Sequence, residues 1–383
     1  MTIVNEPPAA RAAEETPTTS TEERGPSRAH ATLRKDGTSV VTDPGEASLL
    51  HSKGYYGSFV GHGTLELDAR ETLYLVDVGR LEIGQTARGP TVALPDLVHR
   101  VQCAEPGFEI PYLVYRDLRQ RGYVVRTGPG DVEFSVLPRG GTYPTTPSQY
   151  WVWAISERKP FDLQKLVAQL GRAQSARKKI LLGIVDEESD LTYYQLRPIT
   201  PKGRVPALAG GPVAEGVLLD DRVTVFDPEA VERLGQGGAY GSLVGHRLDL
   251  SLVEAAYLIE EERLALTDGA TRRRVGRSAF LEHAHAIEPE LDVLLRTYRD
   301  LRRSGLIPKT GFKYGAHFRA YEGDPAQNHA RFLVHSVLST FSTSWPEISR
   351  AIRLAHGVKK TFLLSWTEGK EPPGYLSLQR IRP

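Results

Sequence analysis

The sequence predicts an α+β fold made of two tandem repeats, each with a small N-terminal α/β subdomain and a C-terminal mixed-sheet subdomain. Three observations carry this reading. Tyr56-Gly57-Ser58-Phe59-Val60-Gly61-His62 returns as Tyr240-Gly241-Ser242-Leu243-Val244-Gly245-His246. Tyr115-Arg116-Asp117-Leu118-Arg119 returns as Tyr298-Arg299-Asp300-Leu301-Arg302, and Arg126-Thr127-Gly128 as Lys309-Thr310-Gly311, so the paired positions differ by 184, 183 and 183. A near-constant offset marks a duplicated unit of about 170 residues. Within each copy, strand-like and helix-like runs follow in the same order.

The elements are expected as follows. Residues 1–36 are rich in Pro, Thr, Ala and Glu and poor in large apolar residues, which predicts a disordered tail. Residues 37–106 and 107–200 form the two halves of the first repeat, and 213–288 and 289–383 those of the second. Between them, residues 201–212 form a Pro- and Gly-rich linker. In the second copy, Arg222-Val223-Thr224-Val225-Phe226 reads as a strand. A helix starts at about Ser251, with Ser251 as N-cap, Glu254 closing a capping box, and Leu250, Val253 and Tyr257 on one face. Leu291, Leu294, Tyr298 and Leu301 make the stripe of a second helix, which Gly305 ends. Strands near Gly311–Tyr321 and Ala330–Leu338, a helix over Pro346–His356, and strands Thr361–Trp366 and Tyr375–Ile381 complete the copy. The first copy shows the same order in Trp151–Ile155, Leu163–Ala173, Ile180–Val185 and Leu191–Leu196.

Composition narrows the function. Over 383 residues, Lys+Arg is 48 and Asp+Glu 47, so the formal charge is +1 and the chain as a whole is not a polycation or polyanion. A local basic patch remains compatible with nucleic acid. Cys103 is the single cysteine, which excludes an intrachain disulfide and a cysteine-built zinc or iron–sulfur site. No apolar run is long enough to span a bilayer, and the first residues lack a signal pattern, so a soluble cytoplasmic protein is expected.

A duplicated fold needs its core twice and its chemistry once, so residues present in one copy only are the informative ones. Phe318-Arg319-Ala320-Tyr321 aligns with Phe134-Ser135-Val136-Leu137, and His329 aligns with Ser148. Lys360 is matched by Lys178. Copy two thus holds Tyr, His and Lys where copy one holds only Lys. One task fitting this set is cleavage of RNA by its own 2′-hydroxyl. Histidine suits proton transfer near neutral pH. Lysine suits the growing charge of a phosphorane. Tyrosine needs a cationic neighbour to act as base, a part open to Lys360. By spacing alone, such a trio is more often structural than catalytic.

The motifs of copy two resemble those of the archaeal tRNA-splicing endonucleases (tRNA-intron lyases). They are Lys309-Thr310-Gly311-Phe312-Lys313-Tyr314-Gly315-Ala316-His317-Phe318-Arg319-Ala320-Tyr321-Glu322-Gly323, the His329 stretch, and Arg353-Leu354-Ala355-His356-Gly357-Val358-Lys359-Lys360. The resemblance covers residues 37–383 and is to the bimodular type, in which one degenerate and one catalytic repeat are fused. It implies a nuclease subdomain closing each copy, with Tyr321 as base, His329 as acid and Lys360 as phosphorane stabiliser. It also implies no metal and no cofactor, and cleavage that leaves a 2′,3′-cyclic phosphate and a 5′-hydroxyl. The implied substrate is precursor tRNA with a bulge–helix–bulge, bound by a homodimer. Arg353 and Arg380 match the two arginines that sandwich a bulge base. The acidic loop Asp186-Glu187-Glu188-Ser189-Asp190 matches one that inserts into the partner chain at the dimer interface; its counterpart Thr367–Pro372 is less acidic and contains Lys370. The rival reading is a non-catalytic structural subunit that scaffolds an active endonuclease. Structural roles are expected for His317, Tyr314, Lys178, Trp151 and Trp153.

Overall fold

The computed structural model describes residues 28–86, 89–369 and 371–383, in two units that divide between Pro106 and Gly107. In the first unit a five-stranded sheet runs in the order Ser58–Phe59, Leu65–Leu67, Ser39–Val41, Ala29–Leu33, Leu81–Gly84. The strand Ala29–Leu33 corrects the expected tail, which was drawn through residue 36. Its small apolar residues alternate inward (Ala29, Ala31 and Leu33 are buried), and it pairs in parallel with Leu81–Gly84. Polar flanks hid this short alternation in the sequence. Residues 1–27 of the expected tail lie outside the described residues.

The second unit holds the remaining three quarters of the architecture. Its six-stranded sheet repeats the first unit's order and adds the terminal strand Arg274–Val275. The helix Leu252–Glu260 begins as the sequence reads it: Ser251 Oγ accepts from the Glu254 amide, and Glu254 reaches back to the Ser251 amide. Leu250, expected to share that helix's face, belongs instead to the preceding strand Arg247–Ser251, still buried in the same core.

A ten-stranded sheet joins the two copies. Its order is Ile307–Thr310, Phe318–Tyr321, Phe332–Leu338, Thr361–Thr367, Gly374–Ile381, Leu191–Pro198, Lys179–Val185, Tyr150–Ser156, Phe134–Val136, Val125–Thr127. The two last strands meet antiparallel in the middle, with Leu196 opposite Leu378. These two leucines are equivalent positions, because each lies three residues after a tyrosine in the same setting: Tyr193 donates to Asp117 and Tyr375 to Asp300, both at 2.7 Å. The C-terminal halves of the two copies are therefore related by a pseudo-twofold axis through that leucine pair.

One face of copy two's half-sheet (Phe318, Ala320, Phe332, Val334) packs on the helix Leu291–Arg303. The other (Leu333, Phe362, Leu364, Leu378) packs under the helix Trp345–Gly357, in a core shared with the matching helix of copy one, Leu163–Ser175. The strand expected near Gly311–Tyr321 is broken. A 3₁₀ turn, Phe312–Tyr314, separates Ile307–Thr310 from Phe318–Tyr321, and Gly315 leaves it in the left-handed region (φ 59°). The linker is pinned rather than loose. Gly203 and Val205 donate to the Ser304 and Gly305 carbonyls at 2.8 and 3.0 Å, and a Cβ at Gly203 would lie 2.0 Å from the Gly305 carbonyl oxygen.

His317 makes a structural contact within the sheet. Its Nδ1 accepts from the Ser336 amide at 2.9 Å. The register makes Ala154 the equivalent of Ser336, and Glu133 accepts from the Ala154 amide in copy one. The imidazole ring of His317 stacks on that of His335, with centroids 4.3 Å apart. Tyr314 is half-buried against the shared core, Trp153 is buried in it and Trp151 packs on it.

Two predictions follow from these contacts. Tyr375→Phe leaves the Asp300 carboxylate without its buried donor and should lower stability by roughly 1.5–3 kcal/mol, read from the denaturation midpoint; an unchanged midpoint would show that the bond contributes nothing net. Burial, with His317 beside it, pushes His335 down to about 4, against a pull upward from Glu290. The unfolded chain takes up that proton below its ordinary value of about 6.5. The contribution is therefore fully present above pH 6.5 and is lost as pH falls toward 4. His335→Phe should narrow the gap in Tm between pH 7 and pH 4.5; a gap as wide as the wild type's would contradict this.

Candidate active site

Strand direction decides where the singled-out residues meet. Phe318–Tyr321 runs antiparallel to Phe332–Leu338, which runs parallel to Thr361–Thr367. Where the first strand ends, the other two begin. The ladder continues past the named strands, since the Arg331 amide donates to the Ala320 carbonyl and the Thr361 amide to the Arg331 carbonyl, both at 3.0 Å. Tyr321, Arg331 and Lys360 therefore stand level at one end of three adjacent strands. Side chains alternate across a sheet, so Lys360 belongs to the face of Phe362, beneath the helix Trp345–Gly357. Two strand spacings separate the backbones of Tyr321 and Lys360, about 10 Å.

Arg380 extends this row. Leu363 lies opposite Ser377 in the antiparallel pair that closes copy two, and continuing that register sets Arg380 beside Lys360. Arg380 in turn lies opposite Tyr194 of copy one. Arg353 is exposed on the helix covering this face.

The three side chains of the trio have different surroundings. Tyr321 is buried against Ile307, Ala330 and Val205. Its hydroxyl has no hydrogen-bond partner among the described residues. It lines a cavity of about 800 Å³ together with Arg222, Glu254, Lys309, His317 and Arg319. His329 is exposed, and its imidazole is likewise unpartnered among the described residues. The turn before it is fixed by Asp324, whose carbonyl accepts from the amides of Gln327 and Asn328 at 3.1 and 2.9 Å. Lys360 follows the left-handed Lys359 (φ 55°) at the end of the helix, and its amide donates to the Ala355 carbonyl at 2.9 Å. Neither His329 nor Lys360 lines the cavity.

The electrostatics amend one expectation. The Lys360 ammonium lies over the Tyr314 ring, 5.7 Å from its centroid, and donates to the Val358 carbonyl at 3.3 Å. The cation against the Tyr321 ring is Arg319, at 5.8 Å. Deeper in the cavity wall, Lys309 donates to the Gly241 carbonyl at 2.5 Å and lies 3.6 Å from Glu254. Burial pulls this ammonium below the ordinary lysine range, against the pull of the Glu254 carboxylate.

Copy one shows the same ends without the chemistry. Val136 pairs with Tyr150, and Tyr150 with Lys179, which makes Leu137 the equivalent of Tyr321 and Lys178 that of Lys360. The Gln149 amide donates to the Val136 carbonyl as Arg331 does to Ala320, so His329 corresponds to Pro147, not to Ser148. The connecting loops differ in length, which is why counting along the sequence missed by one. Lys178 is engaged structurally, donating to the Ser148 carbonyl at 2.7 Å. Sequence reading also missed Arg331, which stands between Tyr321 and Lys360 and pairs with Glu322 at 2.6 Å. Gln149 at its place in copy one was the available signal.

The acidic loop is a tight exposed turn joining Lys179–Val185 to Leu191–Pro198. Asp186 accepts from the amides of Glu188 and Asp190 at 3.0 and 2.8 Å, and Ser189 is left-handed (φ 66°). Glu187 pairs with Arg158 at 3.2 Å. Glu188 and Asp190 also face solvent.

Comparison with known proteins agrees with the duplicated layout. The model of the tRNA intron endonuclease N-terminal domain matches residues 31–93 and 214–279, and that of the catalytic C-terminal domain matches 108–193 and 291–372. A tRNA-splicing endonuclease of Methanococcoides burtonii is 38% identical over 82% of this chain and 90% of its own length. One of Methanosarcina acetivorans is 34% identical over 91% of this chain and 98% of its own, and one of Halobacterium salinarum is 36% identical over 73% and 81%. With both domains present twice in alternation, the chain belongs to the tRNA intron endonuclease family and is a tRNA-splicing endonuclease of the fused two-repeat type.

Proposed function

We propose that this chain cuts precursor tRNA at bulge–helix–bulge intron junctions by in-line attack of the ribose 2′-oxygen on the adjacent phosphorus, without a metal. Tyr321 takes the 2′-proton as the new O–P bond forms, and His329 protonates the departing 5′-oxygen as the old bond breaks. The products are a 2′,3′-cyclic phosphate and a 5′-hydroxyl. Lys360 offsets the negative charge that accumulates on the phosphorane. One observation supports this above the rest: the full trio occurs in copy two alone, where three strand ends meet. The Tyr321 hydroxyl, with no protein partner among the described residues, is open to accept a hydrogen bond from the substrate. Arg331 in the same row adds positive charge near the scissile phosphate. Arg353, above the row, and Arg380, within it, would hold a splayed bulge base between guanidinium planes.

In this reading two chains pair about a twofold axis, one active copy for each bulge of a pseudo-symmetric substrate. Asp186, Glu187, Glu188 and Asp190 of one chain would dock on the partner's copy two. Among the described residues no helix is long and apolar enough to cross a membrane, and we place the reaction in the cytoplasm.

Two sets of variants test this. His329→Ala should lower single-turnover cleavage by roughly 10²–10⁴-fold and Lys360→Ala by roughly 10²–10³-fold, with precursor binding retained. Loss of binding instead would recast both as contact residues, and cutting at a 2′-deoxy junction would refute 2′-oxygen attack. Wild-type chain that cannot cut a bulge–helix–bulge RNA in EDTA without added protein would favour the scaffold reading. Replacing Asp186, Glu187 and Glu188 together with Ala should shift light-scattering mass toward the single chain; an unchanged mass would remove the docking role.

A further inference from the structure

Copy two carries a second set of residues that copy one largely lacks. The turn after Leu264–Asp268 reads Thr271-Arg272-Arg273-Arg274-Val275-Gly276-Arg277. Thr267 pairs with Arg274 in copy two, and Gly84 bridges Thr91 in copy one, so the two turns align without ambiguity. Arg272, Arg273, Arg274 and Arg277 then stand where copy one has Gly89, Pro90, Thr91 and Leu94. The turn itself is rigid: Asp268 Oδ1 accepts from the amides of Ala270 and Thr271 at 3.1 and 2.6 Å. Arg274 is engaged by Glu215 at 2.8 Å and Arg277 by Glu260 at 2.9 Å. Arg272 and Arg273 are exposed and have no acidic partner among the described residues.

The positive charge continues from this turn. Glu260 is shared, because Arg299 of the helix Leu291–Arg303 pairs with it as well. Arg299 lines a pocket of about 340 Å³ with Arg296 and Arg303, beside Asp300 and Glu371. In copy one the positions of Arg296, Arg299 and Arg303 hold Leu113, Arg116 and Gln120. One of the seven arginines is thus kept in copy one, although the core residues between them are retained, as Tyr298 and Leu301 are in Tyr115 and Leu118. Seven like charges along one path repel one another, and Glu215, Glu260, Asp300 and Glu371 offset only part of that. Such a band suits a polyanion with charges at regular short intervals.

We infer that the Arg272–Arg277 turn and the Arg296–Arg303 helix face form a backbone-phosphate track for the tRNA body of the precursor, separate from the bulge site. This rests on the reading of the chain as a precursor-tRNA nuclease. Such contacts fix orientation without reading sequence, and each neutralised phosphate adds roughly 0.7–0.9 to the salt slope of binding.

The test uses the full chain with a full-length precursor tRNA and with a minimal bulge–helix–bulge duplex lacking the tRNA body. Arg272→Glu with Arg273→Glu, and separately Arg303→Glu, should weaken precursor binding at least fivefold. The double variant should make the slope of log affinity against log salt shallower by about 1.5. The loss should be larger for the precursor than for the duplex. The neutral pair Arg272→Gln with Arg273→Gln should give a smaller loss of the same kind, and it keeps the test open should charge reversal disturb folding. Precursor affinity within twofold of wild type with an unaltered slope in every variant would overturn the track, as would equal losses on both RNAs. Failure of the wild type to cut either RNA would instead strike the proposed function, a result these binding curves do not mimic.

Discussion

The antiparallel pairing of Leu191–Pro198 with Gly374–Ile381 is the contact on which the rest of the second unit depends. Each mixed half-sheet would otherwise end in an exposed strand with a row of unpaired amides and carbonyls. Pairing the two edges satisfies both at once and places Leu196 against Leu378 on the pseudo-twofold axis. It also brings the two later helices over one continuous core, where Phe161 meets Trp345 edge-on at 5.2 Å and Tyr194 donates to Ser349 at 2.8 Å. The row running from Tyr321 through Arg331, Lys360 and Arg380 ends on Tyr194, a residue of copy one. A chain that lost copy one would expose that edge and unseat the last strand of copy two, which explains physically why a degenerate repeat is retained.

Given that constraint, the two copies could diverge only where packing allowed it. Positions facing the shared core stay apolar or aromatic, whereas strand ends and turns changed freely. Lys178 and Lys360 illustrate the difference. The backbone delivers both to the same place, yet Lys178 is spent on the Ser148 carbonyl, while Lys360 sits over an aromatic ring with only one long bond to its own turn. Glu133 and His317 show the opposite outcome, two chemically different acceptors serving one backbone amide in equivalent strands.

Much of this was legible in the sequence because it was written twice. The helix of Leu291, Leu294, Tyr298 and Leu301 is apolar on one face in both copies, and the Ser251–Glu254 capping box has local side-chain chemistry that needs no tertiary context. The strand Ala29–Leu33 was not legible: its inward residues are two alanines and a leucine, too small to stand out from a polar flank. The break at Phe312–Tyr314 was hidden for a different reason, since aromatic residues flanked by glycine read as strand until the left-handed Gly315 is seen. Within the candidate site, copy asymmetry was followed to Tyr321 and His329 but not to Arg331, although Gln149 in copy one marks the same kind of difference, because arginine at a strand start carries no pattern of its own. The alignment of His329 failed by one residue where loop length, not hydrophobic period, sets the register.

The differing environments of the trio fit a division of labour in the proposed reaction. A base that must meet a buried ribose hydroxyl benefits from a shielded place and a nearby fixed cation, and Tyr321 has both, in the cavity wall and in Arg319. An acid that must be recharged after each turnover benefits from contact with water, and His329 is exposed on a rigid turn. The stabilising cation needs reach rather than burial, and a lysine stem anchored by a helix end supplies it. Tyr321 and Lys360 stand at strand ends of one sheet, so their spacing is set by backbone register, whereas His329 is carried by the loop before Phe332–Leu338 and its place depends on that loop.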